Sequence, residues 1–150
     1  MARRETPKPR THATRVGPVL TDADRERFDA LLEEALDQLP EHIHKLLEVT
    51  PVIVEDSPPD HILKELGVDD PTELCGLHTG IALTERSVEH GHALPEEIRL
   101  FRSGIVNLAG GWRQRDADDK VYEEIWITLL HEIGHHFGLD EDDLESLGYA

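Results

Sequence analysis

His131-Glu132-Ile133-Gly134-His135 constrains this chain more than any other feature in it. Four residues of α-helix advance about 6 Å and turn through about 400°, so His131 and His135 stand one turn apart on one face. Two neutral imidazoles at that spacing can reach one zinc ion along their nitrogen lone pairs. Glu132 falls about 100° round from His131, on the flank beyond His135. From there its carboxylate can touch a water on the metal without binding the metal itself. Such a water is acidic near neutral pH, and the carboxylate takes its proton as it attacks a carbonyl. These three residue types at this spacing point to zinc-assisted hydrolysis.

The pattern runs on past the second histidine. Gly138 stands seven residues after His131, and Glu141 stands ten after it, with Asp140 just before. A glycine can end a helix in the left-handed conformation and turn the chain back, bringing a third ligand to the metal. The wheel around the motif supports a helix. Tyr122, Ile125, Trp126, Leu129, Leu130, Ile133 and Phe137 occupy one broad apolar arc, while Glu124, His131, Glu132 and His135 lie largely away from it. That predicts one core face and one polar face.

The formal charge is −17, from 15 basic and 32 acidic residues. Nucleic acid and anionic membranes both need a basic field, so neither is expected as a partner. The charge is uneven: residues 1–20 carry five Arg or Lys against one acid, and the other 130 carry 10 against 31. Cys75 is the only cysteine, which excludes an intramolecular disulfide and a cysteine zinc cluster. No apolar run approaches a membrane span, and no apolar stretch follows Arg3-Arg4 as a signal peptide requires. The expected location is the cytoplasm.

At 150 residues the chain suits one domain. Residues 1–18 hold three prolines and five basic residues with almost no apolar content. They read as a disordered arm ahead of a domain over 19–150. Thr21 or Asp22 caps a helix over about 22–39 with Phe28, Leu31, Leu32, Ala35 and Leu36 as its stripe, ended near Pro40. A short helical segment follows over 41–47, and its His42 and His44 read as surface histidines. Val52-Ile53-Val54 forms a short buried strand, and residues 60–66 a helical turn ending at Gly67. Residues 74–83 are strand-like, with Gly76 and Gly80 allowing close backbone approach. Residues 86–95 form a loop whose His90 and His92 are solvated. Residues 98–101 form a third strand, 103–108 run into Gly110-Gly111, and acids over 116–119 suit a helix N-terminus. A last short helix fits 140–147. Three short strands with helices before and after them give an α+β sandwich of two layers.

The stretch His131-Glu132-Ile133-Gly134-His135-His136-Phe137-Gly138-Leu139-Asp140-Glu141 resembles the extended motif of the Asp-zincins and of a small bacterial family of zincin-like metallopeptidases. Val52-Ile53-Val54-Glu55-Asp56, Gly76-Leu77-His78-Thr79-Gly80, Thr84-Glu85-Arg86-Ser87 and Ile98-Arg99-Leu100-Phe101-Arg102 resemble further blocks of that family in the same order. The likeness covers roughly residues 22–148. It implies a minimal zincin fold, in which a small mixed sheet packs against the motif helix and an N-terminal helix. By the same resemblance His131 and His135 map onto the zinc-binding histidines, with one Zn2+ per chain, and Glu132 onto the general base. The acid ten residues after the first histidine maps onto the third ligand, an Asp in the Asp-zincins and Glu141 here, beside Asp140. No histidine stands at that position, so metzincin ligation is not matched.

The function expected from these residues is zinc-dependent hydrolysis of peptide bonds, with a peptide or protein as substrate. The alternative is an inactive metal-binding or protein-interaction module on the same scaffold. Oligomeric state is not encoded in any feature of the sequence.

Overall fold

The computed structural model describes residues 20–79, 96–138 and 140–142. The expected arm over 1–18, the loop histidines His90 and His92, Gly80 and most of the last helix therefore lie outside the described residues.

Thr21 starts the first helix, α1 (Asp22–Asp37), with a reciprocal cap: its hydroxyl accepts from the Asp24 amide while the Asp24 carboxylate accepts from the Thr21 amide. Phe28, Leu32 and Ala35 of its stripe are buried. Pro40 then opens α2 (Glu41–Val49), two residues longer than its apolar pattern predicts, with Ile43 buried. His42 and His44 are exposed, as expected, and His44 Nε2 lies 2.7 Å from the Leu36 carbonyl oxygen.

Strand β1 (Val52–Glu55) is half-buried along its length and not fully covered, because it is an edge strand with one neighbour. Next come α3 (Asp60–Leu66), ended by Gly67 in the left-handed conformation, and a 3-10 turn at Pro71–Glu73 capped by Asp70. Strand β2 (Gly76–Thr79) and strand β3 (Glu97–Phe101) complete a sheet of order β1-β3-β2. β3 is central, parallel to β1 and antiparallel to β2, so the sheet is mixed. Residues 103–108, which carry no clear strand or helix signal in the sequence, lie within α4 (Arg102–Ala109), closed by Gly110.

Helix α5 (Ala117–His136) carries the motif and packs against α1, α4, β2 and β3. Its Val121, Ile125, Leu129 and Ile133 meet Phe28 and Leu32 of α1, Ile98 and Leu100 of β3, and Ile105 of α4 in one core. Side chains alternate across a strand, so Ile98 and Leu100 share one face of the sheet and Arg99 and Phe101 the other. Phe101 joins Leu74 and Leu77 in a smaller cluster covered by Ile62 and Leu66 of α3. No helix among the described residues is long and apolar enough to cross a membrane.

Candidate metal centre

Register decides what β2 offers the motif helix. Gly76 opposes Leu100 and His78 opposes Ile98, so both β2 residues stand on the face that meets α5. On α5, Thr128, Glu132 and His136 follow one another at intervals of four and form one ridge. That ridge lies along β2. A Cβ on Gly76 would stand 2.9 Å from Thr128 Cγ2, 3.0 Å from the Arg99 carbonyl oxygen and 3.2 Å from Glu132 Cγ. Glycine is therefore what lets the strand approach the helix at Glu132.

Glu132 is fully buried in consequence, and His131 is almost so. This refines the single-sided wheel: the face carrying the polar residues is covered by β2, while the core face packs on α1 and α4. Phe137, placed on the apolar arc, is 40 % exposed because the helix ends beneath it. Among the described residues neither carboxylate oxygen of Glu132 has a hydrogen-bond partner, and burial pushes its carboxyl well above the ordinary value of 4.5.

One step round the helix, His131 and His135 turn the same way. Their rings are 4.8 Å apart at an interplanar angle of 76°. The chain leaves α5 through Phe137 and through Gly138, whose φ of +82° is open to glycine at little cost. Its amide donates back to the His135 carbonyl at 2.9 Å. The return brings Glu141 onto the histidines: its Oε1 lies 3.2 Å from His131 Nε2 and 3.1 Å from His135 Nε2. Asp140 is exposed beside it. Two imidazole nitrogens and a carboxylate oxygen thus converge within 4.8 Å of one another. Zinc bonds of about 2.1 Å in a tetrahedron separate ligand atoms by about 3.4 Å, which these spacings nearly meet. The donor set suits zinc.

The ridge also ends in a cluster that sequence reasoning misses. His136 at the last turn of α5, His78 on β2 and Glu96 just before β3 bring their ligand atoms within 4.8 Å of one another. Their side chains are 4 %, 6 % and 5 % exposed. The rings of His78 and His136 meet edge to face at 5.7 Å. Burial lowers the His78 imidazole below its ordinary pKa of 6.5, against the opposing pull of Glu96. The signal available in the sequence is Thr128, Glu132 and His136 repeating at four; nothing local links them to His78 or Glu96.

No curated protein matches the chain. The sequence profile of a family described as zincin-like metallopeptidase matches residues 47–149, which include β1 to β3, α5 and Glu141. With more than two-thirds of its residues inside that match and a mixed α+β fold around the motif helix, the chain belongs to the zincin-like metallopeptidase family.

Proposed function

We propose that the protein is a zinc-dependent peptidase whose metal is held by His131, His135 and Glu141 and whose general base is Glu132. The observation that carries the reading is the convergence of both Nε2 atoms on the Glu141 carboxylate, with Glu132 next to His131 in the chain. Family membership supplies the metal and the substrate class, since zincins use a bound metal, usually zinc, and peptidases act on peptides or proteins.

Zinc held there supplies Lewis acidity, which makes water acidic near neutral pH and polarises a carbonyl oxygen. The chain's own residues do the rest. His131 enters from the buried side of α5, so packing fixes its ring before any metal arrives. His135 and Glu141 approach from the more open side, with side chains 10 % and 52 % exposed. Glu132 accepts the proton of the attacking water on a carboxylate oxygen and delivers it to the leaving amine nitrogen. Its burial against Gly76 keeps bulk water from competing for that proton.

The test uses the full chain, loaded with zinc and offered a peptide library. Hydrolysis is expected, lost on chelation and restored by zinc. His131→Ala loses the ion from this site. Glu132→Gln keeps it, because the residue is not a ligand, and loses about 10²–10⁴-fold in rate. A Glu132→Gln chain that cleaves as fast as the parent would reject the mechanism.

A further inference from the structure

We infer that His78, Glu96 and His136 form a second metal site, a buried structural one that takes a divalent ion of the zinc class and shares no ligand with the first. Three independent elements deliver the donors: β2 gives His78, the residue before β3 gives Glu96, and the last turn of α5 gives His136. Buried polar side chains are ordinarily satisfied by hydrogen bonds. Here His78 Nε2 has no hydrogen-bond partner among the described residues, while His136 Nδ1 has only its close contact with Glu96. Both nitrogens instead face the same oxygen. Glu96 Oε2 lies 3.7 Å from His78 Nε2, beyond hydrogen-bond reach, and touches His136 Nδ1. A simple imidazole–carboxylate pair would use His136 and leave His78 without a hydrogen bond among the described residues. An ion between the three uses all of them.

The donors also select the ion. Two imidazoles and one carboxylate suit zinc and its neighbours in the first transition row, whereas magnesium and calcium prefer oxygen alone. Burial selects the role. Catalytic zinc keeps an open position for water or substrate, while structural zinc is closed. These side chains are at most 6 % exposed, so the fold shields the site from substrate, which favours a structural role. Its mechanical effect follows from its ligands: an ion there fastens the last turn of α5, which also carries His135, to β2 and to the head of β3.

Zinc content after saturation and removal of free metal, measured on the full chain, tests this. The parent is expected to hold two zinc ions. A variant carrying His131→Ala and Glu141→Ala together is expected to hold one, and adding His78→Gln to it leaves none. In the double variant, zinc should raise the unfolding midpoint, and His78→Gln should abolish that shift; Glu96→Gln is the second route should His78→Gln fail to fold. One zinc in the parent and none in the double variant overturns the second site. One in both, lost with His78→Gln or Glu96→Gln, upholds it and instead rejects the first. No zinc in either rejects both.

Discussion

Glu141 stands between two imidazoles, within 3.1–3.2 Å of each Nε2, and its neighbour Asp140 is exposed. Adjacent side chains rarely reach one point, so replacing them should have unequal effects. Removing an outer partner of a metal ligand costs about 10–100-fold in affinity. Glu141→Ala, which removes a proposed ligand itself, is expected to weaken zinc binding at the proposed first site by more than that, and Asp140→Ala by much less. A competition titration on the two variants measures this, and a larger loss in Asp140→Ala would show that the other carboxylate binds. At this scale legibility follows sequence distance. The meeting of His131 and His135 is set by helix geometry alone, and Glu141 needs only one glycine turn more. His78 and Glu96 come to His136 through the register of β2 on β3, which no local spacing encodes.

Between elements, the contact of β2 with α5 is the one most exposed to change. The strand passes over Thr128 and Glu132 with only a hydrogen at Gly76. In Gly76→Ala the new methyl meets the Arg99 carbonyl at 3.0 Å, which is backbone of the central strand and cannot swing aside. Overpacking of this kind typically costs about 1–3 kcal/mol, and denaturant unfolding should show a loss in that range. Unchanged stability would mean that β2 does not sit this close. The strands, α1 and the motif helix were legible because each carries its own periodicity, cap or breaker. What escaped was how α5 is covered. A wheel with one apolar arc reads as a surface helix, yet α5 is also covered by β2 on its polar side, so Glu132 and His131 are buried. Thr128, Glu132 and His136 are polar yet buried on that face, which is why hydrophobicity alone misplaced them. Helix α4 was missed for a different reason: its Ser103, Gly104, Ile105 and Val106 are all buried, and packing outweighs their weak helical preference.

Across the whole molecule, Asp56 ties the helices to the sheet. It follows β1, pairs with Arg25 of α1 and with Arg102 at the start of α4, and Arg102 reaches back to Asp29 of α1. The hydrogen bond from Arg25, reinforced by Arg102, holds the Asp56 carboxyl below its ordinary value of 3.8. Because the folded value is the lower one, the unfolded chain takes up the proton first as pH falls. The stabilising contribution is therefore complete above about 3.8 and is lost as pH drops through the folded value. Absolute stability is a poor readout, since 32 acidic against 15 basic residues make self-repulsion itself change over the same range. The difference between the parent and Asp56→Asn removes most of that common term. The parent should be the more stable of the two at pH 7, with the gap closing as pH falls below 3.8. High salt should narrow the gap at pH 7 as well, because Asp56 and Arg25 are about one-third exposed and open to screening. Denaturant unfolding of both chains from pH 7 to pH 3, at low and high salt, measures it. A gap that stays constant with pH would show that Asp56 acts through packing or neutral hydrogen bonds and not through its charge.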